Sequence, residues 1–233
     1  MLSAIVVAAG ESRRMGFDKL FAAIGGKPVV AHAIRAFEGA GSVDEIIVVS
    51  RADRRAEVAA IIRDEHFKKV RTIVPGGARR QDSVRAGLAQ IGQNQRYVAV
   101  HDAARPLVTP GQIERVFEQC QIHGAAALAE PIKDTLKRAD AAHIVTGSVD
   151  RDQLYAMQTP QVFERELLDR AYDALFAENL SVTDEVSAVQ RLGRKVALVI
   201  ADDLNFKITY PRDLAIADFV LRQRAGAAGT KSG

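Results

Sequence analysis

Continuous apolar runs alternate with amphipathic segments along most of the chain. The first run covers residues 2–8, is rich in branched side chains and ends close to Gly10, which is typical of a buried strand. Five further apolar runs predict strands at residues 45–49, 70–74, 97–100, 125–132 and 195–200. Helical spacing predicts helices that begin near Pro28 and Thr109, a helix around Val84 and Leu88, and helices over residues 54–65, 164–177, 184–192 and 211–224.

Strands that alternate with helices predict an α/β fold with a doubly wound, mostly parallel sheet and right-handed crossovers. The alternation breaks between Asp134 and Gln158, where residues 134–138 and 143–149 predict two short, partly exposed strands. This segment is too short for a core of its own, so we expect one domain over residues 1–224 with a protruding arm at about 136–155. The small and polar residues 225–233 predict a flexible tail.

The composition narrows the class of protein. The chain has 233 residues, 48% of them apolar and 26% charged, which suits one compact core and excludes a disordered or coiled-coil chain. A net charge of +3 does not indicate a nucleic-acid-binding protein, and it fits an anionic small-molecule ligand. The single cysteine, Cys120, excludes an intrachain disulfide. Without a signal peptide or an apolar run of membrane length, we expect a cytoplasmic protein that binds no membrane.

Candidate chemistry begins in the first loop, residues 8–16, with the sequence AAGESRRMG and Lys19 shortly after it. Backbone N–H groups after a strand can line an anion site, and arginine and lysine side chains suit a polyphosphate. The loop is not a dinucleotide fingerprint, because Ser12 stands two residues after Gly10, and it lacks the Gly-Lys-Ser/Thr of a Walker A loop. A surface loop with ordinary solvated charges is the alternative.

Two later strand ends carry polar groups that would meet the first loop at the carboxyl edge of a parallel sheet. The second loop, residues 75–83, reads PGGARRQDS, and a turn followed by a helix cap is its alternative interpretation. In the segment 101–106, Asp102 could approach a metal or hydroxyl groups while Arg105 binds a phosphate, or the two could form an ion pair that closes a loop. Lys207 lies in an apolar stretch predicted as a strand, where it either protects an edge or points into a site.

Other kinds of site find no support in the sequence. The five histidines show no paired metal-ligand spacing, no G-x-S-x-G elbow is present, and Cys120 has no adjacent base. The remaining candidates are cationic groups and one carboxylate, without an activated nucleophile. That set suits direct phosphoryl or nucleotidyl transfer, in which catalysis consists of positioning and charge stabilisation.

Seven blocks of this sequence resemble a known family. The first loop with Lys19 resembles the signature of the sugar-nucleotidyltransferase superfamily. The other six blocks, at residues 101–106, 134–138, 149–151, 159–161, 183–185 and 206–209, are similar to those of the 2-C-methyl-D-erythritol 4-phosphate cytidylyltransferases. The match runs from about Ser3 to Phe219. Each block alone is weakly specific, but seven blocks in the same order are strongly so.

The resemblance implies a Rossmann-like nucleotidyltransferase fold with a β-arm and the transfer of CMP from CTP to 2-C-methyl-D-erythritol 4-phosphate. Mg²⁺ would be held mainly by the triphosphate, with Asp102 as the nearest protein candidate. Family members form homodimers through the arm, so that Arg151 would complete the neighbouring site. The resemblance implies charge stabilisation by Arg14 and Lys19; CTP binding by Ala8, Ala9, Gly10, Gly77 and Ser83; and acceptor binding by Asp102, Arg105, Thr135, Arg151, Thr159 and Lys207, with Arg151 and Lys207 orienting the acceptor phosphate.

This sequence departs from the family pattern in two places. Asp18 and Leu20 flank Lys19 where the family commonly has Pro and Gln, and the Asp18 carboxylate could weaken the local positive field. Ala78 stands where an acidic residue is frequent. The nearest alternative is the same chemistry with another polyol phosphate, such as ribitol 5-phosphate. Two alternatives belong to other classes: a nucleotide-dependent oxidoreductase, which the broken glycine fingerprint disfavours, and a non-enzymatic interaction protein, which the complete set of cations disfavours.

Overall fold

The structure is a computed structural model and describes residues 1–10 and 15–229. Within these ranges, the strands and helices follow one another in the alternating order that the sequence predicts. The strands are β1 (Leu2–Ala8), β2 (Ala23–Ile24), β3 (Lys27–Pro28), β4 (Val43–Ser50), β5 (Val70–Pro75), β6 (Tyr97–Asp102), β7 (Ala125–Pro131), β8 (Leu136–Ala139), β9 (Val145–Val149), β10 (Tyr155–Glu164) and β11 (Ala197–Ile200). The helices are α1 (Val29–Gly39), α2 (Arg55–Asp64), α3 (Arg80–Leu88), α4 (Pro110–His123), α5 (Arg165–Ala177), α6 (Glu185–Arg191) and α7 (Pro211–Gly229).

A seven-stranded sheet in the order β11-β7-β10-β6-β1-β4-β5 forms the centre of the molecule. The pairs β6-β1, β1-β4, β4-β5 and β11-β7 are parallel, whereas β10 runs antiparallel to both β6 and β7. Six strands therefore point one way and a single strand is reversed. The predicted α/β class and mostly parallel sheet are confirmed.

Helices cover both faces of this sheet, and strand β1 is therefore buried on both sides. Leu2 and Val6 belong to the core layer that includes α1, α4 and the inner face of α7. Ile5, from the opposite face of the same strand, packs in the second layer with α3, α5 and α6. Burial on both faces explains why β1 is a continuous apolar run rather than an alternating one.

Strand β10 is absent from the sequence prediction, which placed the end of the arm in this region. Four of its consecutive residues, Gln158 to Gln161, are buried, but three of them are polar. Their polar atoms find partners inside the protein; for example, Gln161 Oε1 accepts hydrogen bonds from the backbone N–H groups of Glu185 and Val186, each at 3.1 Å. Because the strand buries polar groups with specific partners, apolar patterning does not reveal it.

The arm follows β7 and consists of the antiparallel pair β8 and β9. Both short strands were predicted, and both are confirmed with slightly later starts. Large apolar side chains on and next to the arm are exposed, with Ile144 at 64% and Val145 at 62%. No helix of the described ranges is long and apolar enough to cross a membrane.

Two C-terminal predictions are wrong. The stretch around Lys207 is not a strand; it is an irregular segment between β11 and α7, held by the hydrogen bond from Ile208 N–H to the Ala104 carbonyl at 2.8 Å. Helix α7 does not end at Arg224 but continues to Gly229, so residues 225–229 of the predicted tail are helical. Small alanine-rich segments carry no apolar periodicity, yet alanine is the best helix former.

Candidate active site

A cavity of about 720 Å³, called the large cavity below, lies at the carboxyl edge of the sheet. The ends of β1, β4, β5 and β6 all open into it, as expected for ligand sites of parallel sheets. The residues of interest that line it are Ala9, Gly10, Lys19, Arg51, Asp53, Gly76, Gly77, Arg80, Ser83, Asp102 and Lys207.

The wall between the first and second loops requires a glycine. A Cβ atom on Gly76 would stand 2.3 Å from the Ala9 Cβ and 2.8 Å from the Ser83 Oγ, so no side chain fits there. Ser83 Oγ accepts a hydrogen bond from Gly77 N–H at 3.2 Å and donates one to the Arg79 carbonyl at 3.3 Å. The second loop is thereby fixed with its backbone against the cavity. Ala8, in contrast, has its side chain in the core.

Asp102 lies at the end of β6 with each carboxylate oxygen bound to a cation. Oδ1 accepts from Arg80 Nε at 3.0 Å, and Oδ2 accepts from Lys207 Nζ at 2.7 Å. Burial alone would raise the pKa of Asp102, but the positive charges of Arg80 and Lys207 outweigh it and hold the pKa well below its ordinary value. Asp102 is therefore ionised throughout the neutral pH range.

A second cavity of about 230 Å³, the small cavity, adjoins the large one. Arg80, Asp102 and Lys207 line both cavities and form the wall between them. Unlike the large cavity, the small one is rich in hydroxyl and amide groups. Its other lining residues are Arg105, Met157, Gln158, Thr159, Gln161, Thr183 and Asp184.

A buried hydrogen-bond chain fixes Thr159 in the small cavity. Thr159 Oγ1 accepts from Asp102 N–H at 3.1 Å and donates to His101 Nδ1 at 3.0 Å, so His101 Nε2 donates to the Arg105 carbonyl at 3.1 Å. Burial lowers the pKa of His101 to about 4, which keeps the ring neutral and allows one nitrogen to accept. The histidine is a structural support of the site and not a catalytic base.

Arg105 holds the C-terminal segment against β10. Its Nη1 donates to the Asn205 carbonyl at 2.8 Å and its Nη2 to the Met157 carbonyl at 3.4 Å. The alternative of an Asp102–Arg105 ion pair that closes the loop is wrong, because Asp102 binds Arg80 and Lys207 instead.

Lys19 bridges the first loop and the C-terminal segment, since its Nζ donates to the Ile208 carbonyl at 2.6 Å. The neighbouring Asp18 carboxylate forms ion pairs with Arg51 at 3.6 Å and Arg54 at 3.5 Å. Its charge is thus compensated by arginines of the next loop. The aliphatic Leu20, where the family commonly has Gln, is buried.

Among the described residues, three predicted site residues line neither cavity: Ala8, Thr135 and Arg151. Thr135 and Arg151 are exposed on the arm, and Arg151 Nη1 donates to the Lys133 carbonyl. Arg14 lies outside the described residues. Other residues line the small cavity without a predicted role, among them Arg80, Gln158 and Asp184. Arg80 lies in the second loop and Asp184 in the 183–185 block, so the sequence had indicated both regions but not these side chains.

The described residues offer no metal centre of their own. No group of three or more His, Cys, Asp or Glu side chains that could hold a metal ion occurs in the described ranges. Asp102, the nearest candidate, has both oxygens bound to cations.

The large cavity is lined by backbone and cations, and the small cavity by hydroxyl and amide groups. Two such cavities that share a charged wall suit a reaction that joins two phosphorylated molecules. The fold and the site together define a nucleotidyltransferase. The model of the family "2-C-methyl-D-erythritol 4-phosphate cytidylyltransferase" matches residues 2–223, and the chain belongs to this family. It is a cytidylyltransferase of isoprenoid biosynthesis that transfers CMP from CTP to 2-C-methyl-D-erythritol 4-phosphate.

Similar proteins support this membership along the whole chain. A 2-C-methyl-D-erythritol 4-phosphate cytidylyltransferase from Pelotomaculum thermopropionicum is 37% identical over 235 residues, which covers 100% of this chain and 99% of the relative. The enzyme of that name from Caldanaerobacter subterraneus is 40% identical and covers 95% and 99%, respectively. The crystal structure of 4-diphosphocytidyl-2C-methyl-D-erythritol synthase from Anaerococcus prevotii has a TM-score of 0.83 at 29% identity, covering 95% of this chain and 96% of that one.

Proposed function

We propose that the two cavities divide the substrates of the family reaction, with CTP in the large cavity and the polyol phosphate in the small one. A phosphate oxygen of the polyol phosphate attacks the α-phosphorus of CTP, the bond from that phosphorus to the β-phosphate oxygen breaks, and pyrophosphate leaves. The observation that carries this division is the wall of Arg80, Asp102 and Lys207, which lines both cavities. The reacting phosphates would meet at this wall.

The nucleotide would be bound largely by backbone. Ala9, Gly10 and Gly77 present main-chain groups to the large cavity, and Ser83 fixes the second loop beside them. Ala8 contributes only through its main chain. Lys19 would stabilise the negative charge that develops on the α-phosphate, together with Arg14 of the first loop, whose role is carried over from the family resemblance.

The acceptor would be bound by charged and hydroxyl groups of the small cavity. Thr159 and the Asp102 carboxylate suit polyol hydroxyl groups, and Arg105 lines the same space. Lys207 suits the acceptor phosphate, because its side chain is 40% exposed at the wall between the cavities. A phosphate that arrives there would compete with Asp102 for the ammonium group.

We further propose that the enzyme is a homodimer in which the arm reaches the partner's site. The exposed Ile144 and Val145 give the arm an apolar surface that another chain could cover. Thr135 and Arg151 lie outside both cavities of their own chain, and transfer to the partner's site would give them the substrate-binding roles that the resemblance implies.

Mg²⁺ or another divalent cation would enter with the triphosphate. Membership in the family supports a divalent cation, and the described residues supply no competing metal cluster. When bound, the ion would neutralise part of the phosphate charge, while Lys19 and Lys207 do so from the protein side.

The experiment is a measurement of pyrophosphate release with each of the four nucleoside triphosphates, with and without 2-C-methyl-D-erythritol 4-phosphate. Release is expected only with CTP and the acceptor together. Uracil replaces a hydrogen-bond donor of cytosine with an acceptor, and one unsatisfied buried pair costs about 1–3 kcal/mol. Equal turnover with UTP would contradict the base assignment, and equal turnover with ribitol 5-phosphate would contradict the acceptor assignment.

A further inference from the structure

A buried carboxylate supports the wall between the cavities from behind. Glu185, the first residue of α6, is 0% exposed. Its Oε1 accepts hydrogen bonds from Arg80 Nη1 at 2.6 Å and from the Tyr172 hydroxyl at 2.8 Å. Its Oε2 is buried and has no hydrogen-bond partner in the described part of the chain. Such an arrangement is costly to bury, so its position next to the site requires an explanation.

Arg80 is anchored at two of its three nitrogens. Nη1 binds Glu185, and Nε binds Asp102 at 3.0 Å, which fixes the plane of the guanidinium group. Burial by itself would lower the pKa of Arg80, but Glu185 and Asp102 outweigh it and raise the pKa, so the group is always charged. The third nitrogen, Nη2, makes no hydrogen bond to any described residue, and Arg80 lines both cavities.

We propose that Arg80 is a further substrate-contacting residue that lies between the phosphates of the two substrates, and that Glu185 and Tyr172 are positioning residues for its guanidinium group. This inference rests on the proposed division of the substrates between the cavities. Two anionic phosphates must approach within bonding distance during the reaction. A fixed cation between them offsets their repulsion without having to reorganise at the moment of transfer.

The effect of Arg80 should be visible as coupling between the substrates. Each substrate keeps other binding groups, so each should bind alone to a variant without the guanidinium almost as well as to the wild type. Binding of the acceptor beside a bound, non-transferable CTP analogue should instead weaken by about tenfold or more, because each bound phosphate then repels the other.

The decisive variant replaces the buried pair as a unit. Arg80→Met alone would leave Glu185 charged and without a cation, which is strongly destabilising. The double variant Arg80→Met/Glu185→Leu removes both charges of this pair, and such apolar replacements are often neutral or stabilising. Asp102 loses Arg80 as a partner but keeps its ion pair with Lys207. We expect it to fold with a Tm close to that of the wild type and to lose about 10²-fold in kcat. Folded protein with wild-type kcat and coupling would overturn the inference.

The positioning roles are tested with milder variants that keep Arg80. Tyr172→Phe removes one hydrogen bond from Glu185 and should lower kcat about fivefold at unchanged CTP affinity. Its control is Tyr97→Phe, since Tyr97 is also buried but packs edge-on against Phe117 and lines neither cavity. The control for Glu185→Gln is Glu45→Gln. Glu45 forms an ion pair with Arg71 near the other end of the sheet.

The outcomes separate this inference from the proposed function. Loss of kcat in Tyr172→Phe and Glu185→Gln, with wild-type kcat in both controls at similar losses of stability, supports positioning. Equal kcat in these four single variants overturns the positioning roles. This result is decisive even if the double variant does not fold. If the wild type itself fails to join CTP and the polyol phosphate, the proposed function is wrong, whatever the Arg80 variants show.

Discussion

At the residue scale, one buried carboxylate holds two cations of the site in place before the substrates bind. Asp102 binds Arg80 and Lys207 at the wall between the cavities. Two cations held in place by one buried anion are oriented before the substrate binds, which lowers the cost of reorganisation during the reaction. The same anion reduces the net charge of the empty site, so the cations do not repel each other out of position.

Lys19→Ala should lower kcat by about 10²–10³-fold and raise the KM for CTP much less, because the charge matters most as the α-phosphate becomes more negative. Steady-state kinetics at saturating acceptor check this. Lys27→Ala is the control, since Lys27 forms its ion pair with Glu65 on the surface. A Lys19→Ala enzyme with normal kcat would show that Lys19 is an ordinary solvated loop charge.

His101 should give the folded protein a specific sensitivity to mild acid. Burial lowers its pKa to about 4 in the folded protein, whereas an unfolded histidine has a pKa of about 6.5. Protons therefore bind the unfolded chain first, and stability that is fully present above pH 6.5 is lost as the pH falls toward 4. The contribution is on the order of 3 kcal/mol.

The measurement is urea unfolding between pH 4.5 and 7 for the wild type, His101→Asn and the exposed control His123→Asn. Asparagine at position 101 keeps an acceptor for Thr159 but does not titrate. The free energy of unfolding should fall with decreasing pH in the wild type and the control, and should depend on pH clearly less in His101→Asn. Parallel curves for all three proteins would contradict the assignment.

At the element scale, the site depends on how closely the second loop approaches the end of β1. Gly76 permits this approach because a Cβ there would collide with Ala9. The sequence indicates the loop as glycine-rich, but it does not tell a turn from a ligand wall. That distinction needs the distance between two strand ends that are separated by more than 60 residues.

Gly76→Ala should push the second loop away from β1 and raise the Kd for CTP by about tenfold or more, at a stability cost of about 1–3 kcal/mol. Gly92→Ala is the matched control, because a Cβ at Gly92 meets nothing within 4 Å. Nucleotide affinity is measured by calorimetry with CTP in both variants. Wild-type affinity in Gly76→Ala would mean that the loop does not shape the nucleotide site.

Elements with apolar periodicity were predictable from the sequence, and polar elements were not. β1 and α1 follow directly from their buried side chains. β10 was missed because Gln158 and Gln161 are buried by specific hydrogen bonds, which leave no periodic pattern. Arg80 was also missed as a site residue, because its position depends on a hydrogen bond to Glu185, 105 residues away along the chain. A contact between such distant residues leaves no local pattern in the sequence.

At the scale of the whole molecule, the arm is the feature that a single chain leaves without a role. Among the described residues, its two strands pair with each other and with no other strand, and Arg151 at its base lines neither cavity. In the proposed homodimer, each active site would combine Lys19 of one chain with Arg151 of the other. A symmetric dimer then has two equivalent shared sites.

Mixing Arg151→Ala with Lys19→Ala subunits should restore activity to about half of the wild-type value per heterodimer, because one shared site carries both lesions and the other carries neither. Each homodimeric variant should be nearly inactive. The assay follows activity after refolding a mixture with differently tagged subunits, and it uses purified heterodimer. Heterodimer without restored activity would place Arg151 outside the partner's site.

The C-terminal segment between β11 and α7 also determines when this enzyme can first become functional during its synthesis. Lys19 binds the carbonyl of Ile208, Arg105 binds that of Asn205, and Lys207 closes the wall next to Asp102. The ribosome must therefore translate the chain past Lys207 before the large cavity, whose lining starts at the end of β1, has its last wall. Until then, the nucleotide site lacks this wall, so we expect a nucleotide to give little assistance to the early folding of the chain.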